Sequence, residues 1–213
     1  MNKIRIPQYT LKEELINSIS HGIAACLAIA ALVLLIIKSK SALSTVCVSI
    51  YASIMIILFT ISSIYHALSP NLKGKKVLRV IDHCNVLLMV FGTYLPVSLL
   101  GIKNALGWTI FAITLTITII SITLTAINVD KFQIPEVILT LIIGWSSLIG
   151  LKALIANTTF NAFILLLIGG IIYSIGAILY AIGSKKKYIH SVFHFFVIAG
   201  SITHFFMIYL YLI

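Results

Sequence analysis

Seven apolar runs, each near the ~20 residues a helix needs to cross a hydrocarbon core, constrain this chain more than any other feature. They cover roughly residues 16–37, 43–69, 77–100, 105–127, 135–155, 161–182 and 190–213, and short connections between them carry most of the charge. In lipid a backbone amide finds no water, so a span must satisfy its own hydrogen bonds as a helix or close into a barrel. The runs lack the alternation of barrel strands. The expected fold is therefore all-α: a polytopic bundle of seven transmembrane helices forming one membrane domain, residues 1–213, with no extramembrane domain. Composition agrees, because 61% of the residues are hydrophobic and only 9% charged, against about a quarter charged in an average soluble domain. A soluble globular protein and a disordered chain are both excluded.

The 15 basic and 5 acidic residues leave a formal charge of +10. The bases punctuate apolar stretches and build no continuous stripe, so no nucleic-acid partner is expected. Eleven of them fall in alternate connections on one side: Lys3, Arg5 and Lys12, then Lys73, Lys75, Lys76 and Arg79, then Lys131, then Lys185, Lys186 and Lys187. The other side has Lys38, Lys40, Lys103 and Lys152. The positive-inside rule puts the N-terminus in the cytoplasm and the C-terminus outside. Glu13 and Glu14 precede the first run, which is longer than a signal-peptide core, and no small-residue cleavage site follows Ile37, so that run is expected to stay attached. Cys26, Cys47 and Cys84 are odd in number and widely spaced, which suits packing residues better than a disulfide or thiolate site.

With so few charges, each ionisable side chain near a span is conspicuous. His66 ends the second run just before Ser69-Pro70, Asp82 and His83 lie one turn inside the third, His190 and His194 open the seventh, and His21 opens the first. Under the orientation above all lie at the cytoplasmic end of their helices, although they come from four segments of the chain. A single membrane histidine reads most simply as a packing residue bonded to a backbone carbonyl. A carboxylate and several imidazoles at one depth are costly unless they pair or coordinate, and so point to a site.

The i, i+4 spacing of His190 and His194 puts both rings on one helix face, one turn apart. There they can reach a single ion with a third ligand from another helix, for which His66 and Asp82 are the candidates. Three histidines plus water make a catalytic zinc site, whereas two histidines with Asp82 make an iron site, and spacing leaves both open. Ser62 shares the face of His66 one turn deeper, where its hydroxyl can hold a water or substrate oxygen, or bond the carbonyl four residues back. His204 lies about 15 Å beyond His194 along the helix and suits a helix–helix hydrogen bond. His83 is rotated about 100° from Asp82 and is expected to face elsewhere.

Other residues read as architecture. Gly169, Tyr173, Gly176, Tyr180 and Gly183 form a small-residue stripe for close helix approach. Thr114, Thr116, Thr118, Ser121, Thr123 and Thr125 can bond within the fourth helix. Pro96 is expected to kink the third.

At these residues the chain resembles the haemolysin III family, the bacterial branch of the progestin and adipoQ receptor superfamily. The resemblance runs from Glu13-Glu14 and Asn17 to His21-Gly22 through Ser62-Ser63-Ile64-Tyr65-His66, Asp82-His83, Gly92-Thr93-Tyr94-Leu95-Pro96 and Gly144-Trp145, and ends at His190-Ser191-Val192-Phe193-His194 and Thr203-His204-Phe205. It implies a seven-helix protein of a bacterial plasma membrane with its N-terminus in the cytoplasm. It also implies a Zn2+ ion near the cytoplasmic face, with His66, His190 and His194 matching the ligands. Ser62 and Asp82 match residues that approach the metal-bound water in the receptor branch. The resemblance extends to the alkaline ceramidases, which hydrolyse a lipid amide, while the long soluble N-terminal domain of the receptor branch is missing.

Two outputs fit this reading. In the first, a zinc-dependent hydrolase acts on the amide or ester bond of a membrane lipid, with Asp82 moving the proton and Ser62 orienting the water or carbonyl. In the second, the metal is structural and the protein is a cytolysin, pore, lipid sensor or membrane-homeostasis factor. The nearly uncharged outer halves show no polar path across the membrane, which counts against a monomeric pore.

Overall fold

The computed structural model describes residues 4–183 and 186–213; Lys3 and Lys185, counted above among the orientation markers, lie outside them. Seven helices are long and apolar enough to cross a membrane: α1 (Leu11–Lys38), α2 (Ala42–Ala67), α3 (Lys73–Ile102), α4 (Ala105–Ile127), α5 (Val129–Asn157), α6 (Phe160–Gly183) and α7 (Ile189–Leu212). No strand occurs among the described residues, and the expected all-α, seven-span architecture is the one observed.

Local chemistry explains where these helices begin. Thr10 caps α1 through its hydroxyl, which accepts the Glu13 amide, while the Glu13 carboxylate takes back the Thr10 amide at 2.8 Å. Ser41 and Ser44 form the same reciprocal box at α2. Asn128 ends α4 and also caps α5, its side-chain oxygen accepting the Lys131 amide at 3.0 Å. That cap starts α5 at Val129 rather than at 135, and α3 starts at Lys73 rather than at 77, with no side-chain cap at Leu72. The bases Lys73, Lys75, Lys76, Arg79 and Lys131, expected in connections, occupy first helical turns instead, because a helix can run on past the hydrocarbon with its charged end in the polar layer.

Three helices change pitch, among them α7, whose last residues Ile208–Leu212 are π-helical. Pro96 has no amide to give to the ladder, and the turns after it, Val97–Ile102, widen into a π-helical segment, so the irregularity expected at Pro96 takes this form. In α5 the stretch Ser146–Gly150 tightens into a 3₁₀ turn before the helix resumes. Of the six hydroxyls expected to bond within α4, those of Thr114, Thr116 and Thr123 bond carbonyls three or four residues back, whereas Thr118 and Ser121 are buried without a partner among the described residues and Thr125 turns to Glu136 on α5.

Successive helices pack side by side, and α7 returns to α1, closing the ring. The interior place goes to α3, whose most apolar window is 78% buried against 22–44% for the other six. Polarity is inverted relative to a soluble protein. Large apolar side chains such as Ile23, Leu27, Val33, Ile119 and Ile149 face outward, while Asn17, Ser62, Thr114 and Ser201 are buried, as lipid as solvent requires. Ser18 and Ser63 lock α1 to α2 by exchanging hydroxyl-to-carbonyl bonds at 3.0 and 2.8 Å. The glycine stripe of α6 does what small residues permit: Gly169 lies under His204, Gly176 under Phe196 and Gly183 against the backbone of His190. The three cysteines are free.

Candidate metal site

The last turn of α2 and the first two turns of α7 meet at one end of the bundle. They bring together His66, His190 and His194, each offering a ring nitrogen within 4.8 Å of the others, a group that could hold a metal ion. The Nε2 atoms of His190 and His194 lie 3.1 Å apart, close to the roughly 3.3 Å between two nitrogens bound tetrahedrally to zinc at about 2.0–2.1 Å. His66 Nε2 is buried and has no hydrogen-bond partner. An orphaned imidazole nitrogen is costly in such surroundings, and an ion shared with the other two rings removes the cost. The donor set thus fits a borderline-soft divalent metal.

The opposite edges of two of these rings are held from α1. The Glu14 carboxylate takes His66 Nδ1 at 2.5 Å with one oxygen and Lys75 Nζ at 2.5 Å with the other. Because a carboxylate accepts, Nδ1 is the protonated nitrogen of His66, and Nε2 keeps its lone pair toward the other rings. His194 Nδ1 lies 2.8 Å from His21 Nε2 and can donate to it, which leaves its own Nε2 free in the same way. Such outer partners fix tautomer and orientation in metal-binding histidines.

Neither Glu14 nor Lys75 was expected at the site, and His21 was placed only by depth. Glu14, Asn17 and His21 stand at i, i+3 and i+7, one face of a helix, and that spacing was the available signal. Lys75 comes from the start of α3 and its side chain is fully buried. Its position gave no comparable sign.

Ser62 is buried one turn below His66, and the Asp82 carboxylate sits beside the Ser62 hydroxyl with His66 and His83 as neighbouring imidazoles. Asp82 and His190 both border a cavity of about 540 Å³ enclosed by α3, α5, α6, α7 and the segment before α1, within the usual size of small-molecule sites. Its wall is polar near Asp82, Arg79 and His190 and apolar along Val86, Val90, Val137 and Val197. The segment before α1 covers part of it. Tyr9 stacks on the His190 ring at 4.7 Å with the planes 12° apart, and the Arg5 amide donates to Asp130, which also accepts from Arg79 at 2.7 Å. Burial, reinforced by the nearby Glu14 carboxylate, pushes the Tyr9 phenol well above its usual range and keeps it protonated.

The remaining histidines stay outside the triad. His83 turns away from it to Glu136, at 3.1 Å, and to the hydroxyl of Tyr180. His204 spans to the Leu166 carbonyl of α6, the helix–helix role expected of it.

Residues 9–205 match the model of the family described as haemolysin-III related. The chain is 36% identical over 212 residues to "Hemolysin-3" of Bacillus cereus, covering 98% of this chain and 95% of that protein. It is 35% identical over 206 residues to "Hemolysin-3 homolog" of Bacillus subtilis (strain 168), covering 95% of this chain and 96% of that one. A matching profile along nearly all the chain, full-length relatives, seven apolar helices and a buried histidine triad together make this multi-pass membrane protein a member of the haemolysin III family.

Proposed function

We propose that the chain is a zinc-dependent hydrolase of a lipid amide or ester, working at the cytoplasmic face of a bacterial plasma membrane. The observation that carries the reading is the convergence of His66, His190 and His194, one of them with an orphaned Nε2, at the edge of a cavity that also exposes a carboxylate. His66, His190 and His194 would hold the ion. When bound, zinc supplies Lewis acidity and an activated water at neutral pH.

The rest belongs to this chain's own side chains. Asp82 accepts a proton and returns it to the leaving group, Ser62 orients the reacting oxygen, and Glu14 and His21 keep two imidazoles in the tautomer that offers Nε2. The apolar wall along Val86, Val90, Val137 and Val197 takes an aliphatic chain and keeps bulk water away. The orientation rests on the basic residues gathered at this end of the bundle.

Metal analysis of the purified protein, combined with lipid analysis of cells expressing it, tests the reading. Stoichiometric zinc, lost in His194→Ala, and a lipid class whose abundance changes with the wild type but not with Asp82→Asn are expected. Zinc-free wild-type protein would overturn the metal assignment, and unchanged lipids would overturn the hydrolase.

The names of the two relatives favour a second reading, membrane lysis with a structural metal. Release of a trapped dye from liposomes that persists in Asp82→Asn, without lipid turnover, would select it.

A further inference from the structure

The rings of the triad are nearly sealed: His66 and His194 are 2% exposed and His190 is 9% exposed. An ion can reach or leave them only when part of the surrounding wall moves. Most of that wall is long helix packed into the ring, and shifting a helix would break many contacts at once. The segment before α1 differs. Residues 4–10 belong to no helix or strand, and Arg5, Ile6, Pro7, Gln8 and Tyr9 all border the cavity.

Among the described residues, hydrogen bonding and ring contacts attach this segment at two points. At one end the Arg5 amide donates to Asp130 Oδ2 at 3.1 Å. At the other the Tyr9 ring lies on His190, with its centroid 6.0 Å from that of His66. From the next residue onward the chain is fixed, because Thr10 shares a capping box with Glu13 and the second Glu13 oxygen accepts the Tyr188 amide at 2.6 Å, two residues before His190. A hinge therefore falls between Tyr9 and Thr10. Beyond it Pro7 restricts its own backbone and that of Ile6, which keeps the arm extended.

Support of the rings singles out Tyr9. Glu14 holds His66 and His21 holds His194 through hydrogen bonds. Among the described residues His190 hydrogen-bonds only to His194, and Tyr9 covers its ring face. We propose that residues 5–9 are a hinged lid over the histidine triad, latched by Tyr9 on His190 and by Arg5 on Asp130, and that metal exchange waits for it to lift. So few attachments make this the cheapest part of the enclosure to open, and short segments of this kind gate many buried sites. The lid presupposes the metal assignment above and supplies its point of entry.

Zinc transfer from the loaded full-length protein in dodecyl maltoside to a chromogenic chelator, followed by absorbance, tests it. Wild-type release is expected to be slow and independent of chelator concentration, the mark of a rate set by opening. Tyr9→Ala and Asp130→Ala should release several-fold faster with nearly unchanged equilibrium affinity, because they loosen the lid and leave the ligands in place. Tyr9→Phe keeps the ring and should keep the slow rate. If Tyr9→Ala does not fold, Asp130→Ala, which lies outside the histidine group, carries the test. Release as slow as wild type in the folded variants, or a faster release matched by an equal loss of affinity, would overturn the lid alone. Wild-type protein that binds no zinc would overturn the lid and the metal assignment together.

Discussion

Glu14 Oε2 lies 2.5 Å from His66 Nδ1, so a carboxylate of the first helix sets the tautomer of a histidine on the second. Outer partners of this kind are worth about 10–100-fold in metal affinity. Glu14→Ala is expected to weaken zinc binding by about that factor. Glu14→Gln should lose less, because its amide oxygen still accepts Nδ1–H. Competition with a chromogenic chelator measures both, and unchanged affinity in Glu14→Ala would remove the residue from the support of the site.

Lys75 is fully buried with its ammonium on the other oxygen of Glu14. Removing one partner of a buried pair costs about 3–5 kcal/mol. Lys75→Met should therefore unfold well below wild type in a thermal melt. The double variant Lys75→Met/Glu14→Gln should recover part of the loss, since no buried charge is then stranded. Strictly additive effects would show that the two residues are not coupled.

Neighbouring glycines of α6 separate a close approach from an open one. A Cβ added at Gly169 would stand 2.3 Å from His204 Nε2, whereas one at Gly170 meets only Trp145 at 3.8 Å. Gly169→Ala is expected to destabilise by about 1–3 kcal/mol, with His204→Ala relieving the clash in the double variant. Gly170→Ala should be neutral or slightly stabilising, through the better helix propensity of alanine.

Asp130 holds the segment before α1 in place by accepting both the Arg5 amide and Arg79. Asp130→Ala should speed tryptic cleavage after Arg5 several-fold. Zinc content should stay the same, because Asp130 is not part of the histidine group. Equal cleavage rates would show that the clasp does not hold the segment down.

Spacing left the third ligand open between His66 and Asp82, and only the family resemblance pointed to His66, whereas His190 and His194 were legible because HxxxH fixes two rings on one helix face. The span count was legible for a related reason, since lipid allows an apolar run of this length little choice but a helix. Helix starts were less so. Lys73 and Asp130 mark polar surroundings whether they lie in a loop or on a first helical turn; at α5 the Asn128 cap distinguishes the two, while α3 has no side-chain cap to do so. Glu14 could have been found from its i, i+3, i+7 relation to Asn17 and His21. The contacts of His83 with Glu136 and of Lys75 with Glu14 join positions 53 and 61 residues apart. They depend on how helices sit around the ring, which periodicity within one helix does not encode.

The closure of the ring by α7 against α1 has a consequence for biosynthesis. Helices leave the ribosome in order, so α1 enters the membrane with Glu14 and His21 facing inward long before α7 brings His190 and His194 to meet them. In that interval α1 can pair its carboxylate with Lys75 once α3 arrives, but His21 waits for the final insertion event. An ion held by all three histidines could therefore bind only once α7 is in place, and it would act as a latch on assembly, favouring the closed ring over intermediates in which the seventh helix has not docked.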